Sequence, residues 1–269
     1  MTGPSERSAQ SGIAATPAPF APARFARASD ATWPAARVER LGGWHLRFTE
    51  GAGSRAASVW AESPADRPLE AAIDAAEARY IAEGFAPRFQ LWPGDEALGA
   101  ALEARGYRIY DRSLLLWRDA AEPLPAPDPR AEAASIAIAV ATPLAMLDEV
   151  WTEGGVGPAR RAIVERAPEP KIRLLGRAGM RPAGAAAAIL DGEIAVTQAL
   201  FVRPGFRRLG VAATLVAAIQ RYAAGQGARY LCHSVVAENA GAIALYGRLG
   251  FASFGSYRYA ILDREKDRA

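Results

Sequence analysis

Two stretches of the chain, 144 residues apart, carry the same punctuation: a short strand, a helical run, a glycine followed at once by an aromatic, and an aromatic-rich strand. Gly106-Tyr107 and Gly250-Phe251 mark the two copies, and on that offset Asp95 stands opposite Asn239 and Leu102 opposite Tyr246. A repeat of this length implies tandem related units. Helix, glycine, aromatic and strand in that order is also ordinary α/β punctuation, so the repeat must be read together with the elements around it.

In the first unit, Gly43 to Thr49 and Arg55 to Trp60 read as strands that meet across Glu50 to Ser54. Leu69 to Glu83 has helical periodicity and stops at Gly84. Phe89 to Leu91 is a short strand, Asp95 to Arg105 a helix capped by Asp95, and Tyr110 to Trp117 a closing strand. In the second, Ser135 to Val140 reads as a strand and Pro143 to Trp151 as a helix with Thr142 as N-cap. Strands over Lys171 to Arg177, Ala185 to Leu190 and Glu193 to Val202 follow, the last two joined by the hairpin dipeptide Asp191-Gly192. A helix over Gly210 to Gly225, a strand over Tyr230 to Val235, a helix over Ala240 to Leu249 and a strand over Tyr257 to Leu262 complete the order.

The expected fold class is therefore α/β with α+β character, a mixed sheet flanked by helices. Between the units, residues 119–134 (DAAEPLPAPDPRAEAA) have the proline-rich composition of a linker. The expected division is a disordered lead over 1–31, a first domain over 32–118, the linker, and a second domain over 135–269. With 269 residues, 51% of them hydrophobic, either domain has enough apolar material for a core.

Composition excludes several functional classes. A single cysteine, Cys232, rules out an internal disulfide, and with His45 and His233 as the two histidines there is no ligand cluster at metal spacing. The apolar runs Ala185 to Leu190 and Val211 to Ile219 fall far short of the roughly 20 residues a membrane helix needs. The N-terminus lacks an apolar signal core, which points to a cytoplasmic protein. The net charge of +3 is spread along the chain, and no aromatic platform accompanies the arginines, so a nucleic-acid partner is not expected.

The segment Ala199 to Ala217, ALFVRPGFRRLGVAATLVA, carries the most chemistry. A strand runs through Arg203-Pro204-Gly205 into a basic turn and then into an apolar helix. At a helix start, unpaired N–H groups and the positive end of the dipole favour an anion such as a diphosphate. Gly210 permits close approach of the backbone, Ala212 is small, and Arg207 and Arg208 add charge. No Gly-Lys-Ser/Thr follows and the three-glycine dinucleotide spacing is absent. Taken alone, the segment also reads as an arginine-rich turn before a core helix.

A second segment, Leu231 to Phe251, LCHSVVAENAGAIALYGRLGF, places Asn239 at a helix start and Tyr246 two turns along. An N-cap and a core aromatic are the structural reading of the same two residues. Together the segments resemble the GNAT superfamily of acyl-CoA-dependent N-acetyltransferases. The matching residues are Val202-Arg203-Pro204, the loop Arg207-Arg208-Leu209-Gly210-Val211-Ala212, and Asn239 with Ala242-Ile243-Ala244-Leu245-Tyr246 and Gly250-Phe251. The likeness covers about 135–265 well and the first half only as a degenerate echo, with Leu102 where a tyrosine is expected.

The resemblance implies a GNAT-like splayed mixed sheet in the C-terminal domain, with acetyl-CoA as co-substrate. The backbone of Leu200, Phe201 and Val202 would pair with the pantetheine arm as an added strand does. Amides from Arg208 through Leu209, Gly210, Val211 and Ala212 to Ala213 would hold the diphosphate. Asn239 would bond the cofactor arm and Tyr246 would protonate the departing thiolate. The acceptor would be a primary amine of a small molecule or peptide, attacking directly, and the protein a monomer or homodimer. The alternative function is a non-catalytic acyl-CoA sensor or scaffold. Some family members carry a base five residues before the Asn, where this chain has Ser234. The other family position for a base falls at Glu193, which also reads as a polar hairpin residue. His233 and a water chain are further candidates, and Trp44, Trp60 and Trp92 are candidates for the cleft wall or for the core.

Overall fold

The computed structural model describes residues 13–125, 135–142 and 144–262. The first half contains helix α1 (Pro22–Ala31), strands β1 (Arg37–Leu41), β2 (Trp44–Phe48) and β3 (Val59–Ala61), helix α2 (Leu69–Ala82), strand β4 (Arg88–Leu91), helix α3 (Glu96–Ala104) and strand β5 (Arg108–Asp119). The second half opens with strand β6 (Ser135–Ala139), helices α4 (Ala145–Glu153) and α5 (Pro158–Arg166), and strands β7 (Lys171–Ala178), β8 (Arg181–Asp191) and β9 (Ile194–Val202). Helix α6 (Val211–Gly225), strand β10 (Tyr230–Val236), helix α7 (Ala240–Arg248) and strand β11 (Ala252–Ile261) close it.

The eleven described strands form one mixed sheet in the order β1-β2-β3-β4-β11-β5-β10-β9-β8-β7-β6. Its centre is the antiparallel pair β5 and β11, each from a different half. Outward from that pair the two sides mirror each other: β4 and then β3 on one, β10 and then β9 on the other, with β3–β4 and β9–β10 both parallel. The 144-residue offset is preserved, since α3 and α7 begin at Glu96 and Ala240 and end at Ala104 and Arg248. The described architecture is thus two related α/β units around a splayed, open sheet.

The exchange of last strands corrects the picture of two domains joined by a linker. Strand β10 takes its second partner from β5, with Val235 opposite Leu114 and His233 opposite Leu116, while β4 takes its partner from β11. Leu114 and Leu116 pack in the same buried cluster as Leu231, Val235, Ile243 and Tyr246 of the second half. A boundary at 119–134 therefore cuts the sheet. Residues 126–134 of the expected linker lie outside the described residues.

The expected disordered lead is corrected over 13–31. Helix α1 lies on the sheet with Phe25 and Ala28 fully buried, packed with Ile194, Val196, Tyr230 and Cys232. Pro22 stands in its first turn and Arg24 reaches the Asp191 carboxylate at 2.5 Å. Proline and arginine mask a segment whose burial depends on a few apolar side chains. Helix α4 starts two residues later than expected, with Leu144 at the N-cap in place of Thr142; Pro143 lies outside the described residues. Strand β1 and helix α5 had no clear periodic signal, and the expected strand over 55–60 is a single 3-10 turn followed by β3.

Strand β8 is buried on both faces from Ala183 to Leu190, which explains its run of alanines. Ala186 and Ala188 pack with Leu215 and Ile219 of α6, and Ala185 and Ala187 with Leu147 and Trp151 of α4. Trp44, Trp60 and Trp92 are buried in the core. No helix among the described residues is long and apolar enough to cross a membrane.

Because β10 borrows β5, the halves expressed separately as 1–125 and 126–269 should each lack a cooperative thermal transition, while the full chain has one. Circular dichroism melting checks this, and a cooperative melt of 126–269 alone would contradict the exchanged-strand account.

Candidate active site

The opening that matters lies between two parallel strands. β9 and β10 are in register at Ile194–Tyr230, Ala195–Leu231 and Val196–Cys232, and then part. β10 stays with β5 as far as Val236 opposite Ser113, and β9 stays with β8 as far as Val202 opposite Gly184. The divergence coincides with a bulge in β9, where Ala199 has φ +50° and the register against β8 shifts between Ala185 and Ala187. The Trp151 indole N–H donates to the Ala199 carbonyl at 2.8 Å and pins the bulge. Beyond it, the edge of Leu200, Phe201 and Val202 that faces β10 has no strand beside it, as an extended ligand arm requires.

Where β9 ends, Pro204–Phe206 forms a 3-10 turn and the chain enters α6 through two residues of positive φ, Arg208 at +65° and Gly210 at +80°. Gly210 is the N-cap and has no side chain to cap the helix. The Thr214 N–H donates to the Gly210 carbonyl at 3.0 Å, so the N–H groups of Val211, Ala212 and Ala213 belong to the unpaired first turn. Gly176 and Gly184 let this turn press on the sheet, since a Cβ on either would come within 3.0 Å of the Val211 side chain. Arg207 and Arg208 are exposed beside it, Arg207 Nε donating to the Val202 carbonyl at 3.4 Å. Leu209 is exposed. Arg203 instead holds the Glu153 carboxylate through two N–H groups, at 2.6 and 2.9 Å.

Tyr246 is 1% exposed, and its hydroxyl has no hydrogen-bond partner among the described residues. Its ring lies 4.5 Å from that of His233 and 4.9 Å from that of Phe251. The buried hydroxyls of Thr197 and Ser234, at the level where β9 and β10 part, are also unpartnered. Burial pushes the Tyr246 phenol well above its ordinary pKa, so it stays protonated at neutral pH. Asn239 is an exposed N-cap whose Oδ1 accepts from the Ala242 N–H at 3.0 Å, leaving its amide N–H groups toward solvent.

Burial lowers the pKa of His233 to about 4, with the charge of Arg55 a lesser contribution. The ring is neutral at pH 7. Nδ1 lies 3.1 Å from the Thr197 carbonyl, which accepts only, so Nδ1 carries the proton and Nε2 has the free lone pair.

The structure brings together Leu200 to Val202, Arg207 to Ala213, Asn239 and Tyr246 around the opening, but not Glu193. Glu193 sits at the paired end of β9, its carbonyl accepting from the Arg229 and Tyr230 N–H groups and its carboxylate facing Arg229 at 3.3 Å. About 20 Å of extended strand separates it from Leu200. The catalytic assignment of Glu193 is corrected: the hairpin register, which sequence spacing does not reveal, anchors it at the far end. The site also contains residues that spacing did not mark, namely Thr197, Gln198 and Arg55. Arg55 comes from the first half and reaches Gln198 Oε1 at 2.6 Å. In the first half the β2–β3 ladder runs on past Ala61 in the same way, Gly43 and Ser63/Pro64 exchanging backbone hydrogen bonds at 3.0 and 3.3 Å, and α2 carries Glu70 in its first turn.

The splayed parallel pair thus leads from an open edge of extended backbone into a helix start with unpaired N–H groups beside two exposed arginines. Residues 145–251 match the model of the acetyltransferase (GNAT) family. Similar solved structures include a GCN5-related N-acetyltransferase from Kribbella flavida, 19% identical at a TM-score of 0.71 over 93% of this chain and 99% of that one. A functionally unknown conserved protein from Staphylococcus epidermidis is 12% identical at 0.60, over 85% and 94%. A tandem GNAT protein from the clavulanic acid biosynthesis pathway is 16% identical at 0.54, over 72% and 69%. At these identities the likeness establishes the shared fold. No curated protein matches.

The neutral, buried His233 makes stability depend on pH. Its folded pKa lies below the ordinary 6.5, so its contribution is complete above pH 6.5 and is lost as the pH falls towards 4. The loss should reach about 3 kcal/mol, and His233→Asn should remove that part of the dependence. Urea unfolding at pH 4.5 and 7.5 measures it; equal dependence in both proteins would refute the assignment.

Proposed function

We propose that the protein is an N-acetyltransferase that moves an acetyl group from acetyl-CoA to a primary amine of a small molecule or peptide, by direct attack and without a covalent enzyme intermediate. The observation that carries this reading is the buried Tyr246 hydroxyl, unpartnered beside the opening between β9 and β10. A buried donor left without an acceptor costs about 1–3 kcal/mol, and a cost of that size has a ready explanation if the acceptor is a substrate atom.

The residues fit acetyl-CoA. Amides from Arg208 to Ala213 would hold the diphosphate, with Arg207 and Arg208 adding charge. The free edge of Leu200, Phe201 and Val202 would pair with the pantetheine arm, and the exposed Asn239 amide would bond it. Acetyl-CoA supplies an activated acetyl thioester. Tyr246 would give its proton to the departing sulfur and recover one from the nitrogen as the amide forms, so that a C–N bond replaces a C–S bond and the proton ends on the thiol. His233 binds protons too weakly to deprotonate an ammonium, so the amine would lose its first proton to solvent and attack neutral. The first half we read as a degenerate GNAT-like unit: Leu102 holds the Tyr246 position, and Glu70 stands in the first turn of α2, the counterpart of the α6 start.

Two substitutions test these roles. Gly210→Ala strains a left-handed position and should weaken acetyl-CoA binding modestly, whereas Gly210→Glu adds negative charge at the diphosphate and should weaken it about 100-fold or more. Calorimetry reads both, and equal affinities for the two variants would reject the loop assignment. Tyr246→Phe should lower kcat about 10-fold or more with acetyl-CoA affinity unchanged. It should leave the melting temperature level or raise it, because no protein hydrogen bond is lost. Thiol release from acetyl-CoA with a panel of amines supplies the rate. Binding without turnover on any amine would favour the sensor or scaffold role instead.

A further inference from the structure

Among the described residues, Arg55 forms no ion pair with a carboxylate. It is partly buried, and its one side-chain hydrogen bond goes to the neutral amide of Gln198, at 2.6 Å. Its guanidinium also lies over the Trp33 ring, 4.6 Å from the centroid. Burial lowers its pKa, and the largest electrostatic contributions at it come from Tyr257, Tyr259, Arg160 and Arg47. Arg118, 3% exposed, is satisfied by the backbone carbonyls of Asp119, Leu249, Glu122 and Pro123, and other sheltered arginines by carboxylates. Arg47, 2% exposed, reaches Asp30 at 3.0 Å as well as Ser58 and Gln90, and Arg24 reaches Asp191. A guanidinium has five N–H donors, and Gln198 takes one of them.

The location gives the free donors a purpose. Along β9, Gln198 follows Ile194 and Val196 by the two-residue alternation, and those two face α1; Leu200 and Val202, past the bulge, pack on the opposite side with Tyr246. Gln198 is held there by a bond from its amide N–H to Thr32 Oγ1 at 3.0 Å. Arg55 thus lies on the α1 face of the opening and the acyl-donor residues on the α6 and α7 face. It is also near enough for its charge to depress the His233 pKa. A ligand on the Arg55 face would meet the thioester through the gap between β9 and β10.

We propose that the Arg55 face binds a carboxylate carried by the acceptor, so that the substrate is an amine that is also an acid. A planar carboxylate matches two parallel N–H groups of one guanidinium, and in a sheltered site such a pair is stronger than neutral hydrogen bonds. Exposed Arg160 adds to the positive potential. The inference rests on the acetyltransferase reading for the word acceptor, while carboxylate binding stands apart from it. On this account the first half, with Leu102 at the position of Tyr246, serves the other half's site by delivering a specificity-determining residue across the exchanged strands.

The experiment uses the full chain with the twenty standard amino acids and their matched amides, reading thiol release from acetyl-CoA and, by calorimetry with CoA present, binding. Wild type should prefer the best amino acid over its amide by about 100-fold in kcat/KM, and Arg55→Gln should reduce that ratio to within a few-fold. Acetyl-CoA affinity should not change in the variant, which a purely structural role would not ensure. The wild-type comparison of acid with amide needs no variant, so it decides the matter even if Arg55→Gln fails to fold. Amides bound and acetylated as well as the acids, an unchanged ratio in Arg55→Gln, or no acid bound at all would overturn the proposal. Acid binding that Arg55→Gln abolishes, with no thiol release from any compound, would keep the carboxylate site and remove acetyl transfer.

Discussion

The exchange of β5 and β11 is the constraint on which the rest of the molecule depends. Each of these strands follows its own half's last helix, yet each completes the sheet of the other half. Backbone N–H and C=O groups in a buried strand must be paired. The parallel pairs β9–β10 and β3–β4 offer β10 and β4 one partner each, so both need a second that only the opposite half provides. Leu114 and Leu116 carry this dependence into the core, packed against Leu231, Val235 and Tyr246. The site is therefore not the property of one half, even though most of its residues lie after 194.

That arrangement also explains how a gap can persist in the middle of a sheet. A strand that loses a neighbour usually recruits another or becomes an edge. Here β10 is held by β5 to Val236 and β9 by β8 to Val202, so neither can close on the other past Val196 and Cys232. The Ala199 bulge, anchored by Trp151, sets the direction in which β9 leaves. Three buried hydroxyls, of Thr197, Ser234 and Tyr246, stand unpaired around this level. In the first half β3 likewise stays with β2 past Ala61, through the bonds of Gly43 with Ser63 and Pro64, but the first turn of α2, the counterpart of the α6 start, carries Glu70, which disfavours an anion there.

Charge is distributed to match. The helix start at Val211 and the exposed Arg207 and Arg208 lie on one face of the sheet, while Arg55 occupies the other without a carboxylate. Between them His233 is kept neutral by burial, its Nδ1 proton spent on the Thr197 carbonyl. Both faces of the opening are thus positive while the group in the middle carries no charge at neutral pH.

Much of this was legible in the residues. The alternation of elements, the Asp191-Gly192 hairpin, the 144-residue repeat and the loop from Arg207 to Ala213 follow from local rules: periodicity, turn chemistry and the unpaired donors of a helix start. Asn239 at a helix N-cap and Tyr246 two turns along came from the same rules. Helix α1 was hidden, because proline and arginine obscure a segment stabilised by what it packs on. Glu193 was misplaced, because sequence order does not say which end of a parallel pair stays closed. The exchanged strands, and with them the arrival of Arg55 beside Gln198, were beyond the sequence because they are pairings between residues more than about 110 positions apart. Local chemistry determined which elements form and which loop can hold an anion; long-range strand pairing alone decided which side chains meet there, since no periodicity along the chain encodes the choice of a distant neighbour.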